Sequence, residues 1–326
     1  MPKITVIIVN WNGCQFLEAC LGALRRQTFR DFETILVDNG SIDGSAAFVR
    51  AHFPEVRLMV LAENRGFAGG NIAGYETATG DLIVLLNNDT EAHPSWLEEI
   101  HKASLQFPGA GSFASKMMYF DCRNKIENCG FDVGTAGTTI DLGRNEQDGP
   151  QWTSPREVFG ACGGAVAYRR SMLDEIGFLD PDFFMVYEDV DLSFRARLRG
   201  YTCMYIPAAI VFHRYRATLG THPAHQVFYS QRNIEFVYLK NMPAGLILRS
   251  ALQRLLYEIG AAIYFLHLGS GWAFFRSKLA VLRHLSGIYR KRREIQRGRT
   301  VQNSYILQVM QPTVMSKWRK LLNSWQ

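Results

Sequence analysis

The six cysteines, at positions 14, 20, 122, 129, 162 and 203, form no C-x-x-C pair in this chain of 326 residues. Scatter of that kind indicates neither a disulfide framework nor a zinc site, and the thiols are expected to be reduced. A G-x-G-x-x-G after the first strand is missing, as is a Walker A sequence, so neither a dinucleotide fingerprint nor a P-loop is expected. Long apolar runs are missing too. In the last hundred residues no stretch without Asp, Glu, Lys or Arg is longer than Ile259 to Phe275, which is broken by His267, Gly269 and Gly271. A membrane-spanning helix needs about 20 predominantly apolar residues, so no span is expected there. No secretory signal is expected, because Ile4 to Val9 already starts a strand. Acid is scarce in the tail: residues 231–326 carry 16 Lys/Arg against 3 Asp/Glu, and residues 1–230 carry 20 against 27. That asymmetry suggests an acidic catalytic body (1–230) and a basic tail (231–326) that meets an anionic surface. No recognised reader motif accompanies the basic charge, which argues against nucleic acid as the partner.

What is present begins with Asp81 to Thr90. Leu82 to Leu86 is five consecutive apolar residues, the pattern of a strand buried on both faces. It stops at Asn87-Asn88-Asp89, which places polar groups on the rim of a sheet. In open α/β sheets ligands bind beyond the carboxyl ends of the strands. A carboxylate beside two carboxamides offers hard oxygen ligands for Mg²⁺ or Mn²⁺ and hence for a diphosphate, although the same triplet also suits a simple turn. Upstream, strands are predicted at Ile4–Val9, Phe32–Val37 and Val56–Leu61. Helices are predicted at Phe16–Gln27, Ala46–His52 and Ile72–Thr79. Strand and helix alternate, so a parallel, doubly wound α/β sheet with helices on both faces is expected. Each strand ends in a polar or Gly-rich loop on one edge: Asn10 to Gly13, Asp38 to Ser45, and Glu63 to Asn71. Asp38 can accept from an N–H of a base. Arg65 can face a phosphate, and Gly66 to Asn71 allows close backbone approach and φ > 0.

The second half of the body is less legible. Residues 109–157 have few long apolar runs, and Glu127 to Pro150 suggests irregular strands or a mobile loop. In Val158 to Tyr168, Gly160, Gly163 and Gly164 would let a sugar ring or another backbone come close. Val190, Phe194 and Leu198 recur at helical spacing up to Gly200, so Glu188, Asp189 and Asp191 crowd a helix N-terminus. Carboxylates there are ordinary caps. Three together, preceded by Phe183, Phe184 and Tyr187 read as exposed aromatics, also suit a general base whose pKa is raised by its neighbours. Tyr205 to His213 is a late strand ending in a histidine.

Val6 to Gly13, Ile35 to Ser41, Glu63 to Asn71 and Leu85 to Thr90, in this order and spacing, resemble the nucleotide-binding half of glycosyltransferase family 2, and within it bacterial rhamnosyltransferase-like members. The resemblance covers roughly residues 1–240. It implies a GT-A fold, a nucleotide-sugar donor, Mg²⁺ or Mn²⁺, and inversion at the anomeric carbon. By the same resemblance Asp38 contacts the base. Read together with the residues above, Asn10, Asn12, Asn64, Arg65, Gly66, Gly70, Asn88, Gly163 and Gly164 are the candidates to line the donor and acceptor. Asn87-Asn88-Asp89 stands where the family has a D-x-D-type motif. Asn replaces its first carboxylate, so Asp89 must make the metal contact, with His213 as a second ligand. Asp189 is the expected base, Glu188 its neighbour, while Asp191 caps the helix or pairs with Arg195 four residues on.

The donor that the resemblance favours is dTDP-L-rhamnose, and the acceptor a lipid-linked or cell-surface glycan. A nucleotidyltransferase and a non-catalytic scaffold of the same fold are the alternatives. In the tail, Leu246 to Leu268 is apolar but interrupted by Arg249, Arg254 and Glu258. With the aromatics Tyr257, Tyr264, Phe265, Trp272, Phe274 and Phe275 it fits a helix lying in a membrane interface. Tyr289 to Arg299 is a polybasic run beside it. The other reading of the tail is a helical appendage that packs on the body or on a second copy in a homo-oligomer. The expected location is cytoplasmic and peripheral to the membrane's inner face.

Overall fold

The structure, a computed structural model, describes residues 2–214 and 223–311. The buried apolar runs named above become strands and are interleaved with helices. In order these are β1 (Ile4–Asn10), α1 (Cys14–Arg25), β2 (Phe32–Asp38), α2 (Ser45–His52), β3 (Arg57–Val60), α3 (Gly66–Tyr75), β4 (Leu82–Leu86), β5 (Thr90–Ala92) and α4 (Trp96–Gln106). There follow β6 (Ala110–Tyr119), β7 (Cys122–Asn128), β8 (Phe131–Val133), β9 (Thr139–Asp141), β10 (Arg156–Val158), β11 (Ala165–Arg169) and α5 (Arg170–Ile176). The chain then runs through α6 (Glu188–Leu198), β12 (Thr202–His213), α7 (Pro223–Asn241), α8 (Ala244–His267), α9 (Gly271–Arg297) and α10 (Asn303–Val309).

One sheet carries the order β10-β12-β6-β11-β4-β1-β2-β3. The β4-β1-β2-β3 half is parallel throughout, and β6 and β12 are also parallel. β11 runs antiparallel between β4 and β6. Alternate residues of β1 feed opposite layers. Val6 and Ile8 pack with Leu17 and Leu21 of α1, Val49 of α2 and Trp96 of α4. Ile7 packs with Ala68 of α3, Met172 of α5 and Leu192 of α6. The mostly parallel α/β sheet with helices on both faces is therefore present. Because β1, β2 and β4 are parallel neighbours, their carboxyl ends fall on one edge.

Two elements differ from expectation. The helix expected to start at Ile72 starts at Gly66, so the Gly-rich segment is its first turns. The glycines permit close packing on β1: a Cβ at Gly70 would lie 2.7 Å from Val9 Cγ1, and one at Gly74 2.6 Å from Ile7 Cγ2. Residues 110–119 form a ten-residue strand in the middle of the sheet, between β11 and β12. Its buried positions are filled by small residues, by Phe113, Met117 and Met118, and by Lys116, whose ammonium lies 2.7 Å from Asp148. Residues 127–150 are ordered into the end of β7, the β8–β9 hairpin and a short 3₁₀ turn at Pro150–Trp152.

The tail helices share a core with the body. Phe159, Phe183, Val190 and Phe194 pack with Phe236, Val237 and Met242 of α7 and with Val281 and Ile288 of α9. A boundary at 230 falls inside α7. Phe183, read from the sequence as exposed, is fully buried in this cluster. Asp180 ties the parts together, since Lys240 of α7 and Lys291 of α9 both reach its carboxylate, at 2.5 and 2.6 Å. None of the helices among the described residues is long and apolar enough to cross a membrane. The outward sides of α8 and α9 are nevertheless apolar: Leu248 is 80% exposed, Leu252 68%, Ile263 63%, Leu266 68% and Trp272 69%. Residues 312–326 of the tail lie outside the described residues.

Candidate functional site

The carboxyl ends of β1, β2 and β4 meet through side chains. Asn88, just past β4, donates from Nδ2 to Asn10 Oδ1 at 2.7 Å, and Asn10 Nδ2 donates to Ser41 Oγ at 3.3 Å. Ser41 N in turn donates to Asp38 Oδ1 at 2.8 Å. The other carboxylate oxygen of Asp38 is buried with no hydrogen-bond partner. An unpaired buried acceptor of this kind costs roughly 1–3 kcal/mol, so it is suited to a ligand donor such as the N–H of a base. Asn12 adopts a left-handed backbone, φ 50°. Its N–H donates to Ser41 Oγ at 2.9 Å and its Oδ1 accepts from Ile42 N at 2.9 Å, which fixes the β1 loop against the β2 loop.

Asn39 joins these loops to α3. Its Nδ2 donates to Asn64 Oδ1 and to Gly66 O, both at 3.0 Å, and its Oδ1 accepts from Arg65 N at 2.9 Å. Asn64 Oδ1 also accepts from Gly66 N at 2.8 Å. Asn64 is thus a brace within the loop, and Arg65 keeps an exposed side chain at the mouth. Gly66 and Gly70 are packing positions: a Cβ on Gly66, at φ 72°, would stand 2.3 Å from Phe184 O, and Gly70 sits against Val9 and Asn39. Asn39 was not singled out from the sequence. Its only signal was its place beside Asp38 in an Asp-Asn-Gly-Ser loop.

Where β4 and β12 end, Asp89 faces His213, with Oδ1 and Nε2 3.1 Å apart. The other imidazole nitrogen meets Glu127 of β7 at 2.7 Å. Glu127 was missed, since nothing in its local sequence connects it to a histidine 86 residues away. Burial alone would lower the imidazole pKa. Hydrogen bonds and charge from Asp89 and Glu127 outweigh it and raise it to about 10. As it stands the Asp89–His213 contact is a charged hydrogen bond, and a cation held by the two side chains would take the place of the Nε2 proton, with Glu127 as the outer partner that fixes the ring. Among the described residues no group of three or more His, Cys, Asp or Glu side chains forms a metal cage. Two protein ligands are the usual number for Mg²⁺ held together with substrate phosphates.

Opposite this turn lies the N-terminus of α6. Gly163 N donates to Asp189 Oδ2 at 2.8 Å, and Val190 N donates to Oδ1 at 2.7 Å. Gly164 O accepts from Asn87 N at 2.9 Å, so the Gly163-Gly164 dipeptide spans from Asp189 to the Asn87-Asn88-Asp89 turn. A Cβ on Gly164 would lie 3.2 Å from Asn87 Nδ2. Burial raises the Asp189 pKa to about 6 against the opposing pull of the two N–H groups. Burial, and then the charge of Asp189, push Glu188 well above the usual carboxylate range, and its Oε2 has no partner. Asp191 is different. It is fully buried and paired with Arg195 at 2.9 Å and Lys240 at 2.9 Å, and it accepts from Asn241 at 2.8 Å. Its role is structural, as the i+4 spacing to Arg195 suggested.

The loop that delivers Glu188 and Asp189 is held from α7, another feature missed in the sequence. Phe184, Val186 and Tyr187 all have positive φ, 62°, 59° and 69°. Asn233 Nδ2 donates to the carbonyls of Phe183, Met185 and Val186 at 2.9, 2.8 and 2.8 Å, and Arg232 Nη2 to those of Asp182 and Phe183. Ala68 N of α3 donates to Phe184 O at 3.1 Å, which joins this loop to the other side of the cleft.

Comparison with known proteins gives one consistent answer. The family described as Glycosyl transferase family 2 matches residues 5–177. An N-acetylglucosaminyl-diphospho-decaprenol L-rhamnosyltransferase of Mycobacterium tuberculosis is 25% identical over 268 residues, covering 74% of this chain and 85% of that protein. The uncharacterized glycosyltransferase YwdF of Bacillus subtilis is 26% identical over 65% of this chain and 74% of its own length. Among solved structures, GalNAc-T7 with UDP, GalNAc and Mn²⁺ superposes with a TM-score of 0.59 at 16% identity, over 74% of this chain and 48% of that one. A mannosyltransferase from Pyrobaculum calidifontis in complex with GDP-Man and Mn²⁺ gives a TM-score of 0.51 at 17% identity, over 87% and 75%. These two structures share the fold.

Proposed function

The chain belongs to glycosyl transferase family 2, and from that premise we propose that it is a metal-dependent, inverting rhamnosyltransferase that builds a lipid-linked or cell-surface glycan. The observation that carries this reading is the continuous line of contacts from Asp38 through Ser41, Asn10 and Asn88 to the Asp89 turn, and through Gly164 and Gly163 to Asp189. A nucleotide base at one end and an acceptor hydroxyl at the other would then sit on either side of a sugar diphosphate.

Asp38 accepts from the base, and Arg65 at the mouth faces the phosphates. Asp89 and His213 hold Mg²⁺ or Mn²⁺, which when bound offsets the negative charge that develops on the leaving diphosphate. Asp189 takes the proton of the acceptor hydroxyl as its oxygen bonds to the anomeric carbon and the bond to the diphosphate breaks. One displacement inverts that centre. Glu188, kept neutral beside it, is a hydrogen-bond donor to the acceptor. L-Rhamnose and a polyprenyl-diphosphate acceptor are taken from the Mycobacterium tuberculosis relative, whose name specifies an L-rhamnosyl transfer onto such a lipid, and dTDP as the carrier from the family resemblance. An acceptor of that type lies in a membrane, and the apolar outward sides of α8 and α9 with the arginines beside them suit an anionic membrane surface. A nucleotidyltransferase would ask for two carboxylate-held metals, whereas Asp89 and Glu127, the carboxylates that meet His213 among the described residues, sit on opposite nitrogens of its ring.

The test is a thermal-shift panel of nucleotide sugars with and without Mn²⁺, followed by transfer from the stabilising donor to a polyprenyl-diphosphate sugar. dTDP-L-rhamnose should raise Tm only with the cation present. Stabilisation by another donor would overturn the choice of sugar. No transfer from any donor would overturn the activity.

A further inference from the structure

A cavity of about 500 Å³ opens between the first turn of α8, the C-terminal half of α9 and Asn303 of α10. Arg292, Arg293 and Arg299 line it, and no carboxylate does. This sets it apart from the other cation clusters of the tail. Arg254 pairs with Glu235 and Glu258 at 2.7 and 2.6 Å, and Lys278 contacts the same two acids at 2.5 Å. Lys240 and Lys291 share Asp180. Among the described residues, the acceptors that meet Arg292 and Arg299 are neutral. Arg292 Nη1 donates to Leu239 O and Met242 O at 2.8 and 2.7 Å, and Arg299 Nη1 donates to Asn303 Oδ1 at 2.5 Å. Three like charges around one space repel one another, and an anion there relieves that repulsion. Guanidinium forks match phosphate oxygens in geometry as well as charge.

The cavity also lies in line with the apolar face. On α9, Phe275, Leu279 and Leu282 are exposed and lead to Tyr289 and Arg293 at steps of 4, 3, 7 and 4 residues, a single helical stripe. On α8 the exposed stripe of Leu248, Leu252, Leu255, Ile259, Ile263 and Leu266 continues from Gly245 at the cavity's rim. A group bound among the arginines would have any attached hydrocarbon directed along these stripes. We propose that the cavity binds the phosphate of an anionic phospholipid headgroup and anchors the α8–α9 face to a membrane. This rests on the membrane reading above and adds to it a defined site in place of diffuse attraction.

Binding of the full chain to vesicles tests it. Pure phosphatidylcholine vesicles and vesicles containing phosphatidylglycerol are compared for wild type, for R293Q/R299Q and for the charge-matched control R276Q/R283Q, which alters exposed arginines of the apolar half of α9. R293Q alone, at an exposed position, guards against loss of folding, and Tm is recorded for each protein. Wild type should bind the anionic vesicles. R293Q/R299Q should lose more than about tenfold in affinity and R293Q several-fold, against less than about threefold for the control. Equal losses in both double variants would overturn the site and leave the membrane reading standing. Absence of wild-type binding to either vesicle would overturn both. Stabilisation of wild type but not of R293Q/R299Q by inorganic pyrophosphate, without vesicle binding, would reassign the cavity to a soluble phosphate. A dimer that buries Leu252 and Ile263 would reassign the face to a second copy.

Discussion

Gly163 and Asp189 are 26 residues apart in sequence and are joined by a 2.8 Å hydrogen bond from main-chain N–H to carboxylate. Gly164, the next residue, accepts from Asn87 N, so Asp189, the proposed base, and the Asn87-Asn88-Asp89 turn, the proposed metal site, are positioned by one dipeptide. Asp189→Asn should therefore leave the donor pocket assembled while removing the proton acceptor. Turnover is expected to fall by about 10²–10⁴-fold, with an unchanged donor-induced shift in Tm. Asp191→Asn should do the reverse. It breaks a buried pair with Arg195 and Lys240, at about 3–5 kcal/mol of stability. If Asp191→Asn lost turnover as steeply as Asp189→Asn at an unaltered Tm, the base would be misassigned.

The pH dependence has two separable limbs. Asp189 has a pKa raised to about 6, mainly by burial, and it accepts a proton only when ionised. kcat/KM should rise with unit slope up to about pH 6 and level off above it. For stability the sign is opposite, because a carboxylate with a raised pKa favours the folded state most when protonated. Glu235 is the contrary case. Burial alone would raise its pKa, but the charges of Arg254 and Lys278 bring it down to about 2. Its contribution is fully present above about pH 4.5 and is lost as pH falls towards 2. Activity should thus fall about tenfold per unit below pH 6 with the tail still docked, and unfolding followed by tryptophan fluorescence should set in more than a unit below pH 6. Coincident transitions would show that the activity limb reports unfolding.

The difference between what the sequence disclosed and what it hid is physical. β1, β2 and β4 are buried on both faces, so their apolar runs and polar ends were legible, and with them the rim carrying Asn10, Asp38 and Asp89. β6 is as buried but is built of Ala, Gly and Ser between Phe113, Met117 and Met118, which leaves no run to recognise. The start of α3 was hidden because Gly66, Gly69 and Gly70 look like a loop, although Gly66 supplies close approach to Phe184 and Gly70 close approach to Val9. Glu127, Asn39 and Asn233 act through partners distant in sequence, and no local pattern marks such a residue.

Glu127 makes the cation site testable without touching a ligand. It meets His213 at 2.7 Å on the side away from Asp89, and outer partners of this kind set ring orientation and basicity. Glu127→Gln should raise the Mn²⁺ concentration for half-maximal activity by about 10–100-fold. The donor KM at saturating Mn²⁺ should not move. Asp89→Ala should abolish the metal-dependent shift in Tm altogether. A Glu127→Gln protein with the wild-type Mn²⁺ requirement would remove His213 from the cation.

Asn233 offers the test of whether the acidic loop is held in tension. Phe184, Val186 and Tyr187 are non-glycine residues at φ near 60°, a conformation that costs on the order of 1–3 kcal/mol each and persists only where the surroundings impose it. One carboxamide supplies much of that constraint by donating to three carbonyls of the segment. With Asn233→Ala the carbonyls of Met185 and Val186 lose this donor, while that of Phe183 keeps Arg232, and stability should fall by about 1–3 kcal/mol. The released loop should also let Asp189 drift from Gly163, so kcat should drop while the donor KM, set by Asp38 and Asp89 across the cleft, stays within about twofold. Asn233→Asp should be worse than Ala in both respects, because it points a carboxylate at three oxygens. If Asn233→Ala lowered Tm yet kept the wild-type kcat, the loop's strained backbone would belong to folding alone and not to the placement of the base.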